Sequence, residues 1–557
     1  MKRSTIRCVL GLVLCTFAIP LTGARAQSTG LVASDDPLYL DLEWLSEHGI
    51  LDQVILGQRP YSRREIARIL RVARTRMDGK SSGLASRLSD NARDVIEPVL
   101  QRLENRFSDV TDGGRDEEVA LVPLDVGALS YTRNDARHRG FPAPHSSLTE
   151  ATIDPLADRR LGIPVAQGQT AALELAHRLE FDDWFAIQLR ERLNSFKLND
   201  TTPATRSGEL LLVSARARWR NVALTMGRQQ LTWGQVKGSG LFLASDAPAL
   251  DAVSVASDAP FRLPGFLRPL GATQGTLFLA DLGASMNHSH SRLLGYKVSV
   301  QPNPAVELGG TFFNHFGGAG STWRFNANSL IDFLPFIDVF RRHNYVDSSR
   351  TVDVESDKVL GVDGRFRLDP LGGLVVSGEL LIDDFDRYRL MSMLTTTGSS
   401  VLSITIPSIG TPGVSAQLTA KHMGTITYTH AILQNGITTR GRLLGDELGP
   451  DAKSFGAKLI FVLENSRLDL EGRTAIYSNA TYLTYYSDSA HVNFVTQKVA
   501  RTVDELRDIA VVSVTVQGTE GISLKLRGGT ERIRNASFVA GARRTDYVAQ
   551  VEFRIVH

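Results

Sequence analysis

The side chains with the greatest chemical potential fall in a few short polar stretches. In Val213-Ser-Ala-Arg-Ala-Arg-Trp-Arg220, the residues Arg216, Arg218 and Arg220 recur at every second position, so an extended strand projects all of them from one face. Such a ladder of guanidinium forks suits acidic sugars, whose carboxylates accept paired N–H donors. The competing reading pairs the arginines with Glu174, Glu180 or Glu209 and gives them only a stiffening role. Arg228 and Trp233 follow in Met226-Gly-Arg-Gln-Gln-Leu-Thr-Trp-Gly234, where the indole either stacks on a pyranose ring or anchors a loop. Asp383, Asp384 and Asp386 form an oxygen-donor cluster of the kind Ca²⁺ prefers; without the glycine spacing of a calcium loop, a strand-end turn is favoured. His288 and His290 flank Ser289 and would point the same way on a strand, but no third ligand stands nearby, so no metal is expected. Ser285 sits in Gly-Ala-Ser-Met-Asn, which departs from the nucleophile elbow of a hydrolase. This inventory suits recognition rather than turnover, with no cofactor expected.

The elements that must hold these residues are strands. The C-terminal run Tyr547 to Val556 puts Tyr547, Ala549, Val551, Phe553 and Ile555 on one face and Gln550, Glu552 and Arg554 on the other. The same alternation recurs from about Val119 onward. Leu173 to Phe181 and Phe185 to Leu189 flank Asp182-Asp183 as a hairpin, and Val512 to Val516 and Ile522 to Leu526 repeat the pattern. About 16–18 such segments are countable, each about ten residues long, which is long for a soluble sheet and close to a tilted membrane crossing. One face is apolar and the other densely charged, as a wet lumen demands; a soluble sandwich or propeller is the weaker alternative. No apolar run after the N-terminus is long enough for a membrane helix, and only a closed barrel satisfies every backbone group in lipid. The expected fold is therefore mainly β, a large transmembrane antiparallel barrel over residues 116–557 with a helical region at its periplasmic end.

The N-terminus fixes the compartment. Lys2, Arg3 and Arg7 precede an apolar run from Val9 to Leu21 and the small-residue site Ala24-Arg-Ala26, which predicts a signal peptide over 1–26. Both cysteines, Cys8 and Cys15, lie in that leader, so the exported chain has no thiol or disulfide chemistry. Lys plus Arg total 62 against 60 Asp plus Glu; without Lys2, Arg3, Arg7 and Arg25 the balance is 58 against 60, which argues against nucleic acid as a partner.

Residues 27–115 read as a periplasmic helical region. Leu38, Leu42 and Leu45 share a face closed by Gly49, and Ser62 and Glu65 form a capping box before Ile66, Ile69, Leu70 and Ala73. This region is either a free-standing bundle, a plug at the mouth of a pore, or both. Two stretches break the strand pattern. Residues 232–271, rich in Gly, Pro, Ala and Ser, are expected to form a long inward constriction or binding loop. Residues 329–342 show helical spacing interrupted by Pro335, a loop helix or alternatively an apolar strand pair.

Several of these stretches resemble the capsule assembly protein Wzi family. They are Leu38 to Leu51 with Arg59 to Ile66; Met226 to Gly234 with Ala247-Pro248 and Pro260 to Phe266; Ile382-Asp-Asp384; and His430 with Gly441 to Gly445 and Gly449-Pro-Asp451. In this order they span nearly the whole exported chain. The resemblance implies an outer-membrane barrel, helical at its periplasmic end, that binds capsular polysaccharide as a lectin. A porin-like channel for small or acidic solutes is the closest rival and an outer-membrane hydrolase a more distant one.

Overall fold

The computed structural model describes residues 29–78, 90–111, 119–137, 139–142, 150–153, 156, 161–162, 165, 167–199, 201–236, 240–321, 323, 325, 333, 356–383, 397–430, 433, 435–478, 481–486, 494–499, 503–518 and 521–556. The expected leader at 1–26 lies outside them, as does the loop helix at 329–342 apart from Phe333.

Among the described residues, 18 antiparallel strands close a barrel. In chain order they are β1 (Val119–Asn134), β2 (Gly168–Phe181), β3 (Phe185–Lys197), β4 (Thr205–Trp219), β5 (Val222–Gln229), β6 (Leu250–Ser257), β7 (Ala272–Asp281), β8 (Arg292–Asn303) and β9 (Val306–Phe316). The circuit continues with β10 (Ser356–Leu368), β11 (Leu374–Asp383), β12 (Ser399–Ile406), β13 (Val414–Met423), β14 (Ala452–Leu463), β15 (Ser466–Tyr477), β16 (Glu505–Gln517), β17 (Ile522–Arg534) and β18 (Arg543–Val556). Each strand pairs with the next, and β18 returns to β1 with Val126 opposite Val556, so no edge is left open.

The two-residue period separates the environments as expected. Leu224, Met226, Val253, Val255, Leu277, Leu279, Leu524, Leu526 and Phe553 are exposed on the outside, where lipid satisfies them, while Arg190, Lys297, Glu307 and Glu379 are buried inside. Asp182 adopts φ 48° in the tight turn between β2 and β3, as the Asp-Asp pair suggests. Such short turns mark one end of the barrel, the periplasmic one, and long connections mark the other.

One boundary differs from its expectation. The composition of 232–271 suggests a single loop, but Leu250–Ser257 is barrel strand β6, continued by Phe261–Arg262, and Gly265–Leu270 is a turn at the short-turn end. Ala252 and Ser254 pack inward against other protein, so the strand needs no bulky residues there, and its outer face carries Val253 and Val255 beside Asp251.

The N-terminal region supplies α1 (Leu38–Glu47), α2 (Arg63–Met77) and α3 (Asp90–Arg106). Helix α1 ends as its glycine predicts: Gly49 has φ 75°, its N–H reaches Ser46 O, and Ile50 N–H reaches Leu45 O at 3.0 Å, the paired bonds of a Schellman cap. Ser62 caps α2 by accepting from Glu65 N at 3.2 Å. The reciprocal half of the expected capping box is replaced, because the Glu65 carboxylate binds Arg68 at 2.6 and 2.7 Å. Leu42, Leu45, Ile66, Ile69, Leu70, Val99, Leu100 and Leu103 form one core that also includes Ile460 and Val462 from the inner wall of β14. The helices are thus both a bundle and a plug.

Candidate functional site: a lumen closed from both ends

Irregular backbone inside a barrel leaves polar groups that must find partners, and here the wall provides them. After α1 the chain crosses the lumen to Gln58–Arg59, which pairs with Thr232–Trp233 of the segment descending from β5. Two wall carboxylates clamp these crossing segments. Glu307 of β9 accepts Leu56 N at 3.0 Å, Gly57 N at 2.9 Å and Gln235 Nε2 at 2.6 Å. Glu379 of β11 accepts Gln235 N at 2.7 Å, Val236 N at 2.8 Å and Leu241 N at 2.7 Å. Gln301 of β8 exchanges bonds with both backbone groups of Val54, and Gln58 reaches Ser299 Oγ at 3.0 Å. None of these wall residues stands out in the sequence. Alternation places them inward, but the segments they hold lie up to 251 residues away.

Ion pairs close the other side. Arg190 binds Asp35 through both Nη atoms at 2.8 Å and Glu174 at 2.6 Å, and Gly30 N donates to Glu180. Within the plug, Arg106 grips Asp36 at 2.7 Å through both Nη atoms; burial pushes the Asp36 carboxyl up, but the Arg106 charge and its hydrogen bond outweigh that and hold it below the usual range. Burial wins at Glu65, whose carboxyl is pushed up to about 6 despite Arg68.

From the outer end, residues 230–236, 240–249, 424–430 and 435–451 fold over the barrel. Trp233 lies parallel to Phe313 with centroids 5.5 Å apart and 5.2 Å from Phe278, within a core that includes Phe242, Leu444 and Tyr428. The Tyr428 hydroxyl donates to Leu241 O at 2.7 Å and accepts from Asp446 N at 3.0 Å, tying the two loops together. Under this core Lys297 and Asp363 form an ion pair with both side chains fully inaccessible, the ammonium 5.2 Å from the Phe242 ring centre. A polar cavity of about 310 Å³ remains between the inward loop and the β13–β17 wall, lined by Asp246, Lys421, Arg473 and Arg527 among others.

These positions settle the geometry around the expected site residues. Trp233 is 1% exposed, so its indole anchors the inward loop and has no face free for a sugar. Arg216, Arg218 and Arg220 do not form a ladder open to the lumen. Arg216 is buried on Asp258 at 2.7 Å, Arg218 pairs with Asp183 in the short β2–β3 turn, and Arg220, at φ 54° in the next turn, lies over the Trp219 ring. The carboxylate partners of Arg216 and Arg218 are turn residues rather than Glu174, Glu180 or Glu209, because the last residues of β4 stand at the rim. Arg228 is on the outer face and binds Asp251 of β6 at 2.7 and 2.9 Å. Asp383 is buried at the end of β11, while Asp384 and Asp386 lie outside the described residues. His288 and His290 occupy a turn rather than a strand and separate: His288 meets Ala319 O at 3.3 Å and His290 meets Asp281 at 3.0 Å. Among the described residues no group of acidic, histidine or cysteine side chains is arranged to hold a metal ion.

Comparison with known proteins supplies the lineage. The chain aligns over 374 residues, at 22% identity, with an uncharacterized 55.8 kDa protein of the cps region of Klebsiella pneumoniae, covering 66% of this chain and 60% of that protein's length. The solved structure of Wzi from Escherichia coli, described as an outer-membrane, carbohydrate-binding β-barrel involved in group 1 capsule assembly, superposes with a TM-score of 0.62. The match is 18% identical and covers 95% of this chain and 99% of that one. The family model of the capsule assembly protein Wzi matches residues 142–547, most of the barrel. This outer-membrane protein belongs to the capsule assembly protein Wzi family.

Proposed function

We propose that this barrel is a non-enzymatic binding protein that holds capsular or other surface polysaccharide at its extracellular mouth and so contributes to capsule assembly and attachment. The observation that carries the reading is the double closure of the lumen. With the crossing segments clamped on Glu307 and Glu379, a polymer meets the outer loops rather than a conduit. The carbohydrate binding described for the Escherichia coli Wzi supports the same assignment. Arg440 and Arg442 lie on the loop that covers the mouth, Arg440 donating to Ala249 O and Arg442 3.4 Å from Glu209, and their remaining guanidinium nitrogens are the cationic groups nearest an acidic chain there. The remaining cavity beside the plug is the feature that favours a channel instead.

A glycan array probed with the detergent-solubilised protein tests the assignment directly. Selective retention of one class of polysaccharide is expected, and uniform failure to bind any surface glycan refutes it. In cells, deletion of the gene should reduce surface-retained polymer while synthesis continues.

A further inference from the structure

Four neighbouring strands each carry one ionic side chain on the outer face at the same height. Asp251 of β6 stands opposite Arg228 of β5 and opposite Asp281 of β7, and Asp281 stands opposite Arg292 of β8. Toward the short-turn end the same face becomes apolar on every one of these strands: Met226 and Leu224, Val253 and Val255, Leu279 and Leu277, then Leu294 and Val298. On the next strand Arg292 faces Phe316, whose ring lies 4.6 Å from Trp323 and 5.1 Å from Phe333. Aromatic rings beside a row of ions, directly above a greasy wall, mark the level where acyl chains give way to headgroups.

The row is not self-contained. Asp251 and Asp281, directly opposite each other, are like charges that need cationic neighbours. Arg228 commits two of its nitrogens to Asp251 and the third to Leu210 O. Arg292 reaches Asp281 through Nη1 alone, and His290 reaches it through Nδ1 at 3.0 Å. Nε and Nη2 of Arg292 and Nε2 of His290 have no partner among the described residues, and the two side chains are 43% and 56% exposed. A free guanidinium edge and a free imidazole nitrogen side by side suit an anion with several strong acceptor oxygens.

We propose that Arg292 and His290 dock a phosphate of an outer-leaflet glycolipid headgroup, whose acyl chains lie along Leu279 and Val298. The inference is independent of polysaccharide binding at the mouth. It is tested on the full detergent-solubilised protein, with bisphosphorylated lipid A, dephosphorylated lipid A and inorganic phosphate as probes, read by native mass spectrometry and thermal shift. The phosphorylated lipid should bind about tenfold more tightly than the dephosphorylated one, the scale of one lost charge-assisted contact, and inorganic phosphate should give no shift. The double variant Arg292→Gln, His290→Ala should lose that preference, while Arg268→Gln at the opposite end keeps it. Equal affinity for the two lipids, an equal shift with inorganic phosphate, or an unaltered preference in the double variant overturns the proposal. If the double variant does not fold, the comparison of lipids on the native chain decides.

Discussion

Replacing Glu379 by alanine removes the acceptor for three backbone N–H groups, those of Gln235, Val236 and Leu241, bound at 2.7, 2.8 and 2.7 Å. Each such bond contributes about 1 kcal/mol net, and each buried donor left unpaired costs about 1–3 kcal/mol. Three together give on the order of 3–9 kcal/mol, which relief of a buried carboxylate and water entering the vacated space both reduce. A net loss of about 3 kcal/mol for the closed loop is expected, which shifts its opening equilibrium by about two decades. Hydrogen exchange reads this residue by residue. The Gln235, Val236 and Leu241 amides should exchange about a hundredfold faster, with barrel-strand amides unchanged. In planar bilayers the native protein should be silent and the variant should show brief openings. Glu379→Gln should fall between them, because one amide oxygen can still serve Gln235 and Val236 while the amide nitrogen confronts the Leu241 N–H. A folded Glu379→Ala barrel whose loop amides exchange at the native rate would refute the clamp, and steady conductance by the native protein would refute closure.

Three other perturbations read the packing of the plug and wall. Lys297→Met strands the inaccessible Asp363 carboxylate and should destabilise the barrel by about 3–5 kcal/mol in denaturant titration, while adding Asp363→Leu should recover most of the loss. Gly49→Ala forces a side chain into the left-handed cap of α1, 2.7 Å from the Arg367 guanidinium, and should cost about 1 kcal/mol, seen as faster proteolysis of the helical region. Glu65 has its folded pKa raised from 4.5 to about 6, so the folded state holds the proton more tightly than the unfolded one. The Glu65 contribution to plug stability is therefore fully present below about pH 4.5, falls as pH rises to about 6 and is level above; Glu65→Gln should remove that component of the pH dependence, worth about 2 kcal/mol.

Much of the architecture is legible in the residues because lipid and lumen impose a strict period of two. Leu224, Met226 and Phe553 could sit nowhere else without breaking that pattern. Gly49 and Ser62 announce helix ends for equally local reasons. Strand β6 escapes because its inward residues are Ala252 and Ser254, small enough to pack under the loops yet indistinguishable in composition from a loop. The clamps escape for a different reason. Glu379 and Leu241 are 138 residues apart, and nothing local tells a carboxylate bathed in lumen water from one capping buried backbone. The arginines of β4 fall between these cases: their inward alternation is readable, but not their height in the wall, which puts Arg218 beside the Asp183 turn.

That distinction between height and facing bears on what a charged lumen means. A conducting barrel keeps its inner ions turned to water, where they select permeant solutes. Here the carboxylates of Glu307 and Glu379 and the amides of Gln301 and Gln188 turn to the main chain of the plug and inward loop, as irregular backbone requires once water is excluded. Part of the inward charge that suggests a pore is thus the hydrogen-bonding complement of the segments that fill it, and part is paired within the wall, as in Lys297–Asp363 and Arg507–Glu531. Because the plug is held on β2, β3, β8, β9 and β18 and the loop on β11 with a further bond from Gln235 to Glu307 of β9, no single contact carries the closure. Losing one clamp frees one segment and leaves the other in place, which is why brief openings rather than a stable pore are the expected consequence of Glu379→Ala.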